Sequence, residues 1–512
     1  MMSDTFRFIL SLSPFLVILL LAAGFRRGLI RTGIIAWCWT LAVAILAFGA
    51  GLDPFIVSQT KALILAADVL LIVWGALLFC RVCEEAGVLR SLGDGLAAAV
   101  PWKSLRALVL AWAFASFLQG AGGFGVPVVI TAPLLLAAGF PAGQAVILPF
   151  IGHSWAVTFG SLGSSFQALM SASGLGADAL AAPSAVMLGA LCLLSGILVG
   201  WRTSERGEFP RLLPVILLAG SAMAGVQYLL AVSGFWQVAS LGGGAAGVLA
   251  VSLAGWFLHR KDPGPARPPD PKFLPGLFGY LALIAVILCA RWIEPVRRAL
   301  DSVGWDFSLP QAVTAFGFST PAESGIRFAP LGHPGTLLVY SSAAVYLLFR
   351  RWGFYGEAAG RRILGGTVQR AAPVSVGILL MVCVSTILSY SGMTACLAQG
   401  LSAFLGSSFA ALSPWVGAAG AFLTGSNTNS NLLFAPLQQR MARSLGLPDS
   451  TLLAAQTGGG AVGSVVSPVK VGIGTAAFRA DVKEGDVIRK LLLPVALLLA
   501  AASAVTILMI GF

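Results

Sequence analysis

The chain has 512 residues, of which 57% are hydrophobic and only 10% charged, with a mean hydropathy of +0.90 and a formal net charge of +12. Apolar runs of about 15 to 22 residues recur along it, the length that crosses a ~30 Å hydrocarbon layer, so the chain reads as an all-α polytopic membrane protein. No segment between these runs exceeds roughly forty residues, which excludes a sizeable soluble domain, and the basic residues lie in short loops, which excludes nucleic acid as the partner they serve.

In chain order, apolar windows predict twelve spans, near 6–24, 33–50, 62–80, 143–163, 184–201, 211–231, 236–258, 273–292, 335–349, 370–392, 450–469 and 491–511. The first resembles a signal peptide, but its basic cluster Arg26, Arg27 and Arg31 follows the apolar run, so it reads as an uncleaved span. Asp68 is a lone charge inside the third span, which calls for a partner or a water-filled path. Cys80 and Cys83 have C-x-x-C spacing without a second pair or a nearby His, so packing explains them and no metal or cofactor is expected.

Windows 104–139 and 410–442 are also apolar, but a Gly-rich and an Asn-rich patch divide them into arms of about 15 residues, too short to span. Each predicts a re-entrant helical hairpin. The windows 143–163 and 450–469 are interrupted by Gly, Ser and Thr and predict broken helices. The Pro-rich stretch 259–272 predicts an extended linker between a first half, 1–258, and a second half, 273–512. The loop 310–336 predicts a structured outer segment or a partial re-entry, with Glu323 and Arg327 paired at i, i+4.

Placing the N-terminus outside puts segments 25–31, 81–106, 202–211, 259–272, 350–370 and 470–490 inside. These carry the Lys and Arg excess, whereas the outside segments carry balanced charge. This is the positive-inside pattern of a plasma-membrane protein, here with both termini outside.

The two interrupted windows repeat each other. "LQGAGGFGVPVVITAPLLLAAGFP" (118–141) and "LTGSNTNSNLLFAPLQQRMARSLGLP" (423–448) align Gly120 with Gly425 and Gly139-Phe140-Pro141 with Gly446-Leu447-Pro448. From an outside N-terminus the first copy enters from inside and the second from outside, so the repeats are inverted, the mark of secondary transporters whose broken helices line a midplane site. Non-helical backbone at that depth needs partners. The run Ser426 to Asn431 would supply them as turn-mimicking side chains, and Gly120, Gly122, Gly123 and Gly125 would allow tight backbone and close ligand approach. Each tip feeds an arm whose N-terminal amides favour a small anion. The competing explanation is that small residues merely let helices pack closely.

The stretches "FLQGAGGFGVPVVITAPLLLAAGF", "TGSNTNSNLLFAPLQQ" and "QTGGGAVGSVVSP" resemble the bacterial L-lactate permease family along most of the chain. The resemblance implies transport of lactate, and often glycolate, by proton symport, in a wider ion-transporter class with two oppositely oriented re-entrant hairpins. It also implies a substrate site drawn from four stretches. The first tip, Gln119 to Pro127, supplies Gln119, Gly120, Gly122, Gly123, Phe124 and Gly125. The first broken span supplies His153, Ser154 and Thr158. The second tip supplies Ser426, Asn427, Thr428, Asn429, Ser430 and Asn431, of which Ser426-Asn427-Thr428 resembles the hairpin-tip motif of carboxylate transporters. The second broken span supplies Gln456, Thr457 and Ser467, followed by Lys470. The chain departs from the family pattern at Gln119 and Asn427, where acidic residues are expected, and at His153, where Asn is expected.

Those departures remove two carboxylates that would relay protons. An unperturbed imidazole has a pKa of about 6.5, so His153 would couple protons in their place, or would be a neutral, hydrogen-bonded member of the bundle. Asp68 is the other proton-coupling candidate, with a structural role as the alternative. Lys470 would pair with the substrate carboxylate or snorkel to the inner interface. The leading reading is a secondary active transporter of a small 2-hydroxymonocarboxylate, L-lactate, D-lactate or glycolate, with a proton as coupling ion, the bilayer as solvent, and a homodimer admitted but not required. A sodium-coupled or exchange transporter of another small anion is the alternative. An enzyme using His153-Ser154 as base and nucleophile is disfavoured, because adjacent helical residues diverge and no nearby carboxylate orients the His.

Overall fold

The computed structural model of the chain describes residues 4–21, 29–100, 102–123, 125–258, 270–475 and 482–511. Phe124, most of the Pro-rich linker, and Arg26 and Arg27 lie outside the described residues. Among the described residues, nine helical stretches are long and apolar enough to cross a membrane, and a tenth if a pair bent by 54°, Ala142–Gly152 and Ser154–Ser173, counts as one span.

Three of the twelve expected spans fall short of that criterion. The first helix, Asp4–Leu19, has 16 described residues, Pro334–Arg351 ends in two arginines, and Asp449–Ser464 is 16 residues rich in Gly, Ser and Thr. The windows 211–231 and 236–258 form one apolar stretch folded on itself. Its helices Phe209–Leu230 and Ala239–Leu258 turn at Gly234, and Met223 lies against Gly243 and Gly247. The first arm of the 104–139 window is longer than read from the sequence. A π-helical segment, Leu108–Phe114, carries the helix without a break from Lys103 to Ala121, 19 residues that suffice to span by length.

Two helix pairs turn back at glycine. Lys103–Ala121 gives way to Val126–Ala137 through Gly125 (φ +87°), and Phe409–Thr424 to Asn427–Ser444 through Gly425 (φ +72°), a left-handed backbone that residues with a Cβ resist. The second pair is fastened along its length. Ser430 Oγ donates to the Gly417 carbonyl at 2.7 Å, and Ser413 Oγ donates to Gln438 Oε1 at 2.9 Å.

The helices of the two halves interlock. Leu52–Ala86 packs along both Ala359–Tyr390 and Pro334–Arg351, and Leu29–Phe48 along Ala359–Tyr390. One apolar core runs from residue 72 through the middle of the chain to residue 502, and a second joins the N-terminal helices to the second helix pair. At one end of the bundle Arg370 and Arg81 hold Glu84 at 3.0 and 2.8 Å, Arg362 holds Glu85 at 2.7 Å, and Lys272 Nζ donates to the Ala86 carbonyl at 2.8 Å. Three of the segments read as inside, 81–106, 259–272 and 350–370, thus meet at this end.

The segment 310–336 lies at the other end and is partly β-structure. Strands Trp305–Leu309 and Glu323–Phe328 pair antiparallel, and the two-residue strands Ala312–Val313 and Ser319–Thr320 pair between them. This corrects the expected Glu323–Arg327 pair, because residues four apart on a strand are separated by about 13 Å instead of one helical turn. Glu323 instead takes Lys61 at 2.5 Å, and Arg327 donates to the Asp301 carbonyl at 2.9 Å.

Phe409–Thr424 packs closely on Asp449–Ser464, and a Cβ on Gly459 would sit 1.8 Å from the Pro414 carbonyl oxygen. Gly459→Ala is therefore expected to push these helices apart and cost about 1–3 kcal/mol. Thermal unfolding in detergent measures this, and a midpoint equal to wild type would show that the contact relaxes freely.

Candidate functional site

A run of hydrogen-bonded polar side chains lies deep inside this apolar bundle. Ser426 is the N-cap of Asn427–Ser444, its side chain accepting from the Asn429 amide at 3.3 Å. The cap corrects one expectation. Only Gly425 and Ser426 are non-helical, and Asn427 to Asn431 already form the first turns of a helix. Their side chains are therefore free to face neighbouring helices instead of replacing missing backbone bonds.

Thr457, on Asp449–Ser464, is where these contacts converge. Its hydroxyl lies 3.0 Å from the Thr158 hydroxyl and accepts from Asn431 Nδ2 at 2.9 Å and Asn427 Nδ2 at 3.3 Å. Asn427 Nδ2 also reaches Thr158 Oγ1 at 3.2 Å, Asn431 Nδ2 the Ser165 carbonyl at 2.9 Å, and the Thr428 and Ser165 hydroxyls meet at 3.0 Å. A second chain runs beside it, with Gln438 donating to Gln456 at 3.1 Å and Gln456 donating to Ser430 Oγ at 3.0 Å. The amide oxygens of Asn427, Asn429 and Asn431 are buried and lack a hydrogen-bond partner among the described residues.

The first tip joins from the other side. Gln119 is buried against Gly123 and Gly160, Gly123 lies against Ser161, Gly122 against Cys80, and Gly120 against the backbone at Ser240 and Leu241. Phe124 is outside the described residues. Both tips touch one short helix, Pro468–Thr475: Gly425 packs on Val469 and Gly125 on Ile473, four residues apart and so on the same helical face. Val465 to Ser467 break the chain before this helix, so the second broken span is continuous through Ser464, further than expected.

Lys470 sits between those two contacts and is buried. Its Nζ donates to Ser464 Oγ at 2.8 Å and its amide to Ser467 Oγ at 3.3 Å, so the side chain turns inward and does not snorkel. His153 and Ser154 are also buried, but each is bonded to its own preceding turn, His153 Nδ1 with the Pro149 carbonyl at 2.5 Å and Ser154 Oγ to the Ile151 carbonyl at 2.8 Å. This is not the geometry of a base activating its neighbour as a nucleophile.

Asp68 is deeper than the sequence suggested, near the middle of the 35-residue helix Leu52–Ala86. Its partner is His333, whose Nε2 lies 2.8 Å from Oδ1, while Gln167 and Ser171 donate to Oδ2 at 2.6 Å each. Sequence reading did not pair Asp68 with His333, 265 residues away, because nothing local links the two. It also missed Ser165, Ser413 and Gln438. Gln438 had a usable signal, since it continues the face of Asn427 and Asn431 at spacings of four and seven.

The sequence of the whole chain places this arrangement in a known class. A family model described as L-lactate permease matches residues 7–262 and 309–512. The L-lactate permease of Salmonella typhimurium (strain LT2) is 26% identical over 499 residues, covering 89% of this chain and 88% of its own length. That of Escherichia coli (strain K12) is 27% identical over 455 residues, covering 82% and 80%, and the glycolate permease GlcA of the same strain is 25% identical, covering 75% and 74%. Among solved structures, the crystal structure of the Alcanivorax borkumensis YdaH transporter overlays at a TM-score of 0.46 with 15% identity, covering 88% of each chain. The protein is a multi-pass membrane transport protein. It belongs to the L-lactate permease family.

Thr457→Val keeps the side-chain shape but removes the hydroxyl on which two Asn amides converge. Leaving those buried donors short of an acceptor is expected to cost about 1–3 kcal/mol, read as a lower unfolding midpoint than Thr457→Ser. Equal midpoints for the two variants would show that the hydroxyl holds nothing together.

Proposed function

We propose that this protein is a secondary active transporter of a small 2-hydroxymonocarboxylate, L-lactate, D-lactate or glycolate, across the plasma membrane by proton symport with alternating access. The observation that carries the reading is the convergence of two helix starts on Pro468–Thr475. Val126–Ala137 and Asn427–Ser444 both begin at tips seated on that helix, beside the buried ammonium of Lys470. Helix N-termini present amide donors and partial positive charge, and with one buried cation they suit one carboxylate better than two. The hydroxyls and amides of Thr158, Thr457, Asn427 and Asn431 would take the 2-hydroxyl. The names of the relatives, lactate and glycolate permeases, support the same substrate class.

In the orientation we infer, the β-strand end and both termini face outside and the Glu84 cluster faces inside. Read as re-entrant hairpins, the two helix pairs would then enter from opposite sides, which would support alternating access around a midplane site. The groups we assign to proton carriage are His153 and Asp68, the latter joined to His333. A second reading, sodium coupling, is favoured by the three Asn amide oxygens that lack a partner among the described residues, since hard cations are bound by oxygen ligands.

Labelled L-lactate uptake into proteoliposomes is expected with an inward proton gradient and not with a sodium gradient alone. Uptake driven by sodium would replace the first reading with the second. His153→Gln is expected to abolish pH-driven uptake while sparing counterflow exchange, and intact pH-driven uptake would remove His153 from coupling. Lys470→Gln is expected to lose substrate binding in a protection assay, whereas unchanged affinity would discard its carboxylate contact.

A further inference from the structure

A cavity of about 980 Å³ opens between the β-strand segment and the helix Asn427–Ser444, apart from the polar centre. Leu432, Pro436, Gln439, Arg440 and Arg443 line it at helical spacing, so the cavity follows that helix from the turn after Asn431 to its C-terminal end.

The charges on its walls are unequal in number and in what holds them. Two carboxylates line the cavity, and both are engaged: Asp68 by His333, Gln167 and Ser171, and Glu323 by Lys61 and the Tyr390 hydroxyl. Of the four cations on the walls, Lys61 is paired with Glu323, Arg443 with Asp449 at 2.9 Å, and Arg327 donates to the Asp301 carbonyl. Arg440 has no carboxylate within 4.0 Å among the described residues. Its guanidinium stands 5.9 Å from the centre of the Phe318 ring, and Phe318 in turn is seated against Gly392, where a Cβ would leave no room. An aromatic face orients a guanidinium without neutralising it. Beside it, Gln439 is about nine-tenths buried, and its Nε2 is a buried donor without a partner among the described residues.

We propose that Arg440 and Gln439 form a peripheral subsite for a small monocarboxylate, which receives the anion in the vestibule before it reaches the buried polar centre. A carboxylate would satisfy the guanidinium, and a rotation of the Gln439 side chain, which also lines the cavity, would bring its orphaned amide donor to the same anion. The subsite rests on the reading of the chain as a carboxylate transporter with the β-strand end outside.

In proteoliposomes, Arg440→Gln is expected to raise the KM for external L-lactate roughly tenfold, exceeding any fall in maximal rate, with Arg440→Lys intermediate. Gln439→Met, which removes the donor and keeps the bulk, is expected to raise KM several-fold. Unchanged KM in both Arg440→Gln and Gln439→Met overturns the subsite. If wild type moves neither lactate nor glycolate, the transport reading fails separately, and the subsite is then judged by thermal stabilisation of the purified protein with acetate. Stabilisation of wild type that is lost in Arg440→Gln supports it, and equal or absent stabilisation in the two proteins overturns it.

Discussion

A polar group buried in a bundle that itself sits in hydrocarbon has no water to fall back on, and this constraint organises the rest of the molecule. Thr457 shows it most directly. One hydroxyl is shared by Thr158, Asn427 and Asn431, so the first broken span, the second broken span and the second tip are tied at a single point. The close packing of Phe409–Thr424 on Asp449–Ser464 follows from the same need, since glycine at 459 lets these helices come near enough for Ser413, which also reaches Gln438 on the neighbouring helix, to donate to the Leu452 carbonyl. Small residues and polar residues are therefore parts of one solution, in which close approach shortens the distances that the hydrogen bonds must bridge.

The same constraint separates the two kinds of charge in the chain. Charges at the ends of the bundle form exposed or half-exposed pairs such as Arg362 with Glu85, which serve orientation more than stability. Charges at depth are each held by a specific device. Asp68 has an imidazole, an amide and a hydroxyl, and Lys470 has a serine hydroxyl across the break in its own helix. The loop carrying His333 thereby becomes part of the membrane domain, because it supplies a partner that the helix carrying Asp68 cannot supply for itself.

The neutral residues at positions where the resemblance implies carboxylates have a physical role in this setting. Asn427 stands where a carboxylate is expected and donates through its amide nitrogen to two threonine hydroxyls, which a carboxylate could not do. Gln119 is likewise neutral and packed against Gly123 and Gly160, a space bounded by backbone. The centre is consequently poorer in negative charge than the resemblance implies, and Lys470 stands buried between the contacts of the two tips.

The membrane class, the positions of most helices, the two interrupted windows and the family were legible in the sequence, because each depends on local composition: apolar length, glycine at a left-handed turn, a serine that caps a helix. The lengths of the first arm and of Asp449–Ser464 were less legible, since a π-turn and a run of glycines leave little periodic trace. The Glu323–Arg327 pair was misread for a related reason, as residues spaced four apart fit a helix on paper but stand on a strand that pairs with Trp305–Leu309. Pairings across the chain could not be read at all. Asp68 with His333, Thr158 with Thr457 and Asn431 with Ser165 join residues more than 250 positions apart, and no local pattern encodes which of many polar side chains will meet. The sequence by itself determined which segments enter the membrane and which of them are interrupted there. Only the tertiary structure decided what the interruptions face, because a buried hydrogen bond depends on the three-dimensional position of both partners and each partner's sequence records only its own half.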